Sequence, residues 1–127
     1  MNIEEVRECV LSLYGVTEDQ PFGDDNITFR LEGKIFLCLW LGCERQADAG
    51  PRFAIKLTPE RNEALREAYA AVTPAWHWNK KYWNQVNLYG HLDDELIRSL
   101  IRHSYREVVR KLKKAERIEH PEITDVC

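Results

Sequence analysis

The sequence lacks the long apolar segment of a membrane protein. Its longest apolar run covers seven residues, 35–41, whereas about 20 are needed to cross a bilayer. The first residues carry neither the basic segment nor the apolar core of a signal peptide. We therefore expect a cytoplasmic protein that has no membrane partner.

Closely spaced cysteine pairs are also missing. No Cys-x-x-Cys pair occurs among the four cysteines, which are Cys9, Cys38, Cys43 and Cys127. Because zinc sites usually combine such short spacings, we expect no metal. In a reducing compartment we expect free thiols, with Cys9 and Cys38 packed as small hydrophobes.

Catalytic motifs are absent as well. The sequence contains no phosphate-binding loop, dinucleotide fingerprint, zincin helix or nucleophile elbow. His77 and His103 are the candidates for acid–base chemistry, but neither has an evident carboxylate or nucleophile nearby in the sequence. The adjacent loop acids Asp24 and Asp25 offer too few oxygen ligands for a cation. We expect a protein that is not an enzyme, with no catalytic residues and no cofactor.

Length and charge limit the remaining possibilities. The 127 residues suffice for one domain with a single core. A net charge of −3 argues against a strongly basic nucleic-acid binder. The charge is uneven, since residues 1–60 carry 6 Lys/Arg against 11 Asp/Glu, whereas residues 96–117 carry eight bases against two acids. An anionic partner should meet the basic segment first.

Hydrophobic periodicity and turn residues predict an α+β domain over residues 1–117 and a tail over 118–127. The predicted element order is α-β-β-β-α-β-β-α, with one antiparallel sheet packed by helices. Residues 18–26 are predicted as a loop. The predicted strands cover 27–31, 34–40, 52–57, 75–78 and 84–89, and the predicted helices begin at Asn2, Thr58 and Asp93.

Two helices carry specific expectations. In the second helix, Ala64, Leu65, Ala68 and Tyr69 should face the core, and Thr73-Pro74 should end the segment. In the last helix, the predicted inner face comprises Leu96, Ile97, Leu100, Ile101, Tyr105, Val108 and Leu112.

One stretch, residues 76–84 or WHWNKKYWN, concentrates aromatic and polar side chains. It predicts two strands around an Asn79-Lys80-Lys81 turn. Its tryptophans suit packing against the long helix, but an exposed Trp83 beside two lysines would also suit stacking on a nucleic-acid base. Asn79 and Asn84 could contact base edges, but they are also ordinary turn residues, and the turn role is favoured.

This stretch and the final helix resemble the MmcQ/YjbR family. The resemblance rests on the Asn79-Lys80-Lys81…Trp83-Asn84 core and on His103-Ser104-Tyr105, and it covers residues 2–114. It implies a secretion-chaperone-like α+β fold and DNA binding through a double wing of β-hairpins. Trp76, Trp78 and Tyr82 depart from the family's usual Tyr, Met and His, which puts in doubt any role that needs an imidazole at position 82.

Arginines recur along the final helix at Arg98, Arg102, Arg106 and Arg110. Such a band is suited to phosphate contacts, but it is also explained by salt bridges to the acidic N-terminal half. The resulting hypothesis is weak, salt-dependent DNA binding, and the alternatives are a protein-interaction or chaperone-like module and a small-molecule binder. The candidate contact residues are Asn79, Lys80, Lys81, Trp83, Asn84, Arg98, Arg102 and Arg106.

Overall fold

A computed structural model of the chain describes residues 1–21, 23–41, 50–75 and 78–112. Within these residues the chain forms three α-helices and a six-stranded antiparallel sheet. The α+β class is confirmed, and the predicted elements occur in the predicted order, with one additional strand after the first helix. Several predictions fall outside the described residues and concern Trp76, His77, Cys43, Cys127, the bases at 113, 114 and 117, and the tail at 118–127.

Strand pairing follows the order β1-β2-β3-β4-β6-β5. The elements are α1 (Ile3–Leu11), β1 (Val16–Asp19), β2 (Asn26–Leu31), β3 (Lys34–Trp40), β4 (Arg52–Lys56), α2 (Pro59–Ala68), β5 (Val72–Pro74), β6 (Trp83–Asn87), a 3-10 turn (Leu88–Gly90) and α3 (Asp94–Lys111). Asn2 and Glu5 form the capping box that begins α1, and Thr58 caps α2. Glu32 and Gly33 both have positive φ, as the predicted two-residue hairpin turn requires.

The first strand, β1, was not predicted. Its side chains are mostly exposed and it supplies one apolar residue, Val16, so its sequence resembles that of a loop. Pairing with β2 gives it regular hydrogen bonds, and two ion pairs, Arg30 with Asp19 and Arg7 with Glu18, fasten it at the surface. Short, charged strands are common at the edges of sheets, because they discourage pairing with another chain.

Both faces of the sheet bury side chains. The larger cluster joins Val6 and Val10 of α1 to Leu37 of β3 and to the fully buried Leu100 and Ile101 of α3. Six of the seven inner-face residues predicted for the last helix are buried in this cluster, and the seventh, Leu96, is half-buried against it. A second, smaller cluster combines four buried residues, which are Cys38, Ala54, Ala75 and Trp83.

Two local predictions need correction around α2. The helix ends at Ala68, and the following Val72–Pro74 segment is an edge strand, where proline's missing N–H costs little. Pro74 therefore belongs to β5, and the strand predicted at 75–78 lies three residues earlier. The buried side chains of α2 are Asn62 and Leu65, whereas the predicted Ala64, Ala68 and Tyr69 are exposed.

In the described part of the chain, no helix combines the length and the apolar character that a membrane span needs.

Candidate functional site

The chain between β5 and β6 closes in a turn that Asn79 shapes. The backbone carbonyl of Asn79 accepts hydrogen bonds from the N–H groups of Tyr82 at 3.1 Å and Trp83 at 2.9 Å. Its side-chain Oδ1 accepts from the N–H of Lys81 at 3.0 Å. Asn79 therefore holds the turn, and the side chains of Lys80 and Lys81 are exposed.

The tryptophans of this segment anchor it. Trp78 and Trp83 stack with their ring centroids 4.3 Å apart and an interplanar angle of 24°. Trp83 is only 7% exposed, so its ring has little surface left for a nucleic-acid base. Trp78 packs on the second cluster, whereas α3 contributes to the larger one, which corrects the expected packing of Trp78 on the long helix.

Asn84 is fully buried and its amide is occupied at both ends. Its Nδ2 donates to the carbonyl of Asn62 at 3.2 Å, and its Oδ1 accepts from Nε of Arg66 at 2.6 Å. Arg66 also donates to the carbonyl of Lys80, and Nδ2 of Asn62 donates to the carbonyl of Lys81 at 3.1 Å. Asn84 thus supports the turn from the interior of the protein, where both it and Trp83 are buried.

Lysines from three further segments gather beside the turn. The ammonium groups of Lys81 and Lys111 lie 5.7 and 6.0 Å from the ring centroid of Tyr82. Lys34 donates through Nζ to the carbonyl of Lys111 at 3.4 Å, at the C-terminal end of α3. Lys56 lies close enough for their charges to affect it. We call this group the lysine surface, comprising Lys34, Lys56, Lys80, Lys81 and Lys111.

The electrostatics of the lysine surface are unusual at Lys56. Partial burial lowers the pKa of Lys56, and the charges of Lys111 and Lys34 lower it further. Among the described residues, the ion pairs are made by arginine, His103 and the N-terminal amine, and none is made by a lysine. The lysine surface therefore concentrates positive charge without a carboxylate partner in that part of the chain.

Two of the helix arginines, Arg98 and Arg102, are paired with a carboxylate of their own helix. Arg98 and Arg102 both bond to Glu95, at 3.1 and 3.2 Å, and their bonds hold the pKa of that carboxyl below its usual value. The charges of both arginines also lower the pKa of the Cys9 thiol, against the effect of burial, so both lie near α1. Arg106 is exposed and lies near His103. The structure brings Lys81, the chain neighbour of Lys80, together with Lys111, whereas Arg98 and Arg102 pair with Glu95.

His103 bridges α2 and α3. Nη1 of Arg61 lies 2.8 Å from Nδ1 of His103, and because arginine only donates, that nitrogen must accept. The opposite nitrogen, Nε2, lies 3.5 Å from Glu107, a carboxylate at i+4 that the sequence interpretation did not pair with it. Burial and the Arg61 charge lower the pKa of His103. The imidazole is thus kept neutral and serves as a link between the two helices.

Cysteine and metal chemistry find little support in the described ranges. Cys38 is buried and Cys9 half-buried, as expected, and burial raises the pKa of both thiols. No group of three or more His, Cys, Asp and Glu side chains suited to a metal ion occurs within those ranges.

Sequence reasoning missed Lys34 and Lys56. They occupy the first position of β3 and the last position of β4, which are antiparallel neighbours. Once those strands are paired, such positions fall at the same end of the sheet. The signal was therefore not a local motif but the pairing of the two predicted strands, 34–40 and 52–57, near whose adjacent ends these lysines lie.

Comparison of the sequence with known proteins identifies relatives of this chain. The family model described as YjbR matches residues 11–107. The uncharacterized protein YbdF of Escherichia coli O157:H7 is 28% identical over 113 residues, covering 89% of this chain and 88% of the relative. The uncharacterized protein YjbR of Escherichia coli K12 is 34% identical over 73 residues, covering 58% of this chain and 62% of the relative.

Solved structures agree. A Deinococcus radiodurans protein, DR2400, with a DUF419 domain, superposes with a TM-score of 0.82 at 31% identity, over 93% of this chain and 86% of that one. A crystal structure of a Pseudomonas syringae protein gives a TM-score of 0.72 at 26% identity, over 84% of this chain and 98% of that one. The family match spans most of the domain, and these folds coincide with it. The chain therefore belongs to the YjbR family.

Proposed function

We propose that this protein binds DNA, without catalysing a reaction, through contacts between the lysine surface and backbone phosphates. The observation that carries the proposal is the shared position of Lys81 and Lys111 at the ring of Tyr82. It joins the turn between β5 and β6 to the end of α3 in a single cationic patch. Neighbouring phosphates of one strand are separated by a few ångströms, so such a patch suits several contacts at once.

Arginines and lysines differ in their ion pairing, and this difference supports the lysine surface as the binding site. In the described part of the chain, Arg7, Arg30, Arg98, Arg102 and Arg110 pair with carboxylates. A phosphate that approached them would have to displace an existing partner. The lysine surface requires no such displacement, because its ammonium groups have no described carboxylate to lose.

Base recognition has weaker support than phosphate contact. Trp83 and Asn84 are buried, and the amide of Asn79 is used within the turn. Binding should then be largely independent of base sequence, since phosphate contacts carry no sequence information. The overall charge of −3 opposes binding at long range, so we expect modest affinity that falls steeply with salt.

The test is fluorescence anisotropy with two duplexes of unrelated sequence, measured at several salt concentrations. The proposal predicts similar affinity for both duplexes and a log–log salt slope of roughly −0.9 per phosphate contact. Absence of binding at about 50 mM salt and micromolar protein would exclude it, because non-specific binders are strongest at low salt. Polyglutamate of matched charge serves as competitor, and displacement at equal charge concentration would instead indicate an acidic protein partner.

A further inference from the structure

A small cleft opens where the start of β3, the end of β4 and the last turn of α3 meet. Its volume is about 40 Å³, and the lysines lining it are Lys34, Lys56 and Lys111. These residues are far apart in the sequence and are brought together by the fold alone. The cleft thus collects three positive charges that no local sequence motif would reveal.

This arrangement is unfavourable for the empty protein. The charges of Lys34 and Lys111 lower the pKa of Lys56, after the larger effect of burial. The carbonyl of Lys111 offsets part of this cost by accepting from Lys34, and the C-terminal dipole of α3 adds a partial negative charge of about −0.5. Three full positive charges exceed this half charge together with the carboxylate charge of Glu107, so the cleft is cationic.

Glu107 is the carboxylate that also lines the cleft. It is already engaged, because its Oε2 accepts from Arg110 at 2.6 Å and its Oε1 lies 3.5 Å from His103. Its carboxylate is therefore paired with Arg110 and His103 and not with a lysine of the cleft. An anion in the cleft would meet three ammonium groups and would have to avoid this one acid.

The dimensions and walls of the cleft select the kind of anion. About 40 Å³ accommodates an oxyanion group and is too small to enclose a nucleoside or a sugar. Leu57 and Val108 are buried apolar residues in its walls, which strengthens charge interactions by limiting water. Ammonium groups bind phosphate as point charges and need no planar fork geometry.

We propose that this cleft binds a single phosphate group, held by Lys34, Lys56 and Lys111. The group can belong to a small phosphate compound or to the terminal phosphate of a nucleic-acid strand. The inference goes beyond the proposed function, because a free phosphate would bind here even if the protein bound no duplex DNA.

The test follows backbone amide shifts by NMR during titration with inorganic phosphate, with sodium chloride at equal ionic strength as the salt control. We expect saturable shifts near residues 34–36, 56–57 and 108–111. In Lys56→Met the apparent Kd should rise about tenfold or more, because the variant cannot make a charge-assisted hydrogen bond to the phosphate. Lys56→Arg should retain binding, and Lys80→Met, which changes an exposed lysine outside the cleft, should bind like the unmodified protein.

Two further readouts separate this site from general charge effects. Phosphate should raise the pKa of Lys56, followed through its side-chain Cε signal, because a nearby anion favours the ammonium form. Shifts that match those in sodium chloride, or that persist unchanged in Lys56→Met, would overturn the proposal.

The source of the phosphate is resolved by comparing single strands with and without a 5′-phosphate. Tighter binding of the phosphorylated strand, abolished in Lys56→Met, identifies a strand terminus. Equal binding of both strands, together with saturable binding of inorganic phosphate, identifies a small phosphate compound. If duplex DNA fails to bind while inorganic phosphate binds, the proposed function fails and this site stands.

Discussion

Nε of Arg66 donates a 2.6 Å hydrogen bond to Oδ1 of Asn84, which joins α2 to a fully buried position of β6. The same guanidinium donates to the carbonyl of Lys80, next to the end of the turn. The position of the turn lysines therefore depends on a buried amide behind them. The buried hydrogen bond of Asn84 and the exposed lysines of the turn are thus connected through Arg66.

The first prediction concerns this amide. Asn84→Leu would remove the side-chain donor to the carbonyl of Asn62 and the acceptor of Nε of Arg66. We expect a loss of about 1–3 kcal/mol in the free energy of unfolding for each buried group left unsatisfied. Urea denaturation measures this, with Gln85→Leu on the same strand as control. If Asn84→Leu lowered the free energy of unfolding as little as Gln85→Leu, the buried network would contribute little to stability.

The second prediction concerns the turn lysines. Changing Lys80 and Lys81 to Ala should leave the melting temperature nearly unaltered, since both side chains are exposed and surface changes usually stay within about ±0.5 kcal/mol. In the DNA titration the salt slope should flatten by ~0.9 for each phosphate that the variant no longer neutralises.

Arg98 and Arg102 provide the matched control, because changing both to Ala also removes two positive charges, but from the surface beside α1. Unlike the lysine variant, this one should keep the salt slope. Equal flattening in both variants would mean that net charge, and not the lysine surface, controls binding.

A third prediction addresses the core. Leu100 is fully buried in the larger cluster, so Leu100→Ala should destabilise the protein by ~2–5 kcal/mol through reduced burial and a residual cavity. Leu96→Ala, at a half-buried position of the same helix, should cost clearly less. Chemical denaturation of both variants decides the matter, and equal costs would contradict the packing described for α3.

The fourth prediction is a pH dependence from His103. Burial and Arg61 lower its pKa in the folded protein, so the unfolded chain binds the proton more readily. This contribution to stability is complete above the unfolded pKa of about 6.5, and it decreases as pH falls from there toward the lower folded value.

Urea denaturation at several pH values between about 7.5 and 5 should show a smaller decrease in stability for His103→Gln than for the unmodified protein. His91→Gln, at an exposed position, should keep the full decrease. If the His103→Gln profile overlies that of the unmodified protein, the imidazole does not link α2 to α3 in the way described.

Much of the fold follows from local sequence. Asn2 and Glu5 form the predicted capping box, Thr58 caps α2 as its position before Pro59 indicates, and Glu32-Gly33 makes the hairpin turn. Such signals act within a few residues, where backbone conformation and side-chain hydrogen bonds are decided locally. The apolar period of α3 likewise identifies Ile97, Leu100 and Ile101 as core.

The errors arise where distant partners override local preference. Val16–Asp19 becomes a strand because β2 offers a pairing edge. Asn62 is buried where its Nδ2 donates to the carbonyl of Lys81 in the turn and its backbone carbonyl accepts from Asn84. The positions of charged residues were even less accessible from local patterns. Arg98 and Arg102 look like a binding band in the sequence, yet both face Glu95 beside α1.

The sequence by itself determined the helix starts, the hairpin, the apolar face of α3 and the family, because each depends on residues close together or on a pattern along the chain. Only the tertiary structure decided which cations share a surface. Lys34, Lys56 and Lys111 meet because antiparallel pairing of β3 with β4 brings two strand ends together and packing of α3 across them adds the third. That convergence depends on long-range contacts, for which a single sequence holds no local signal.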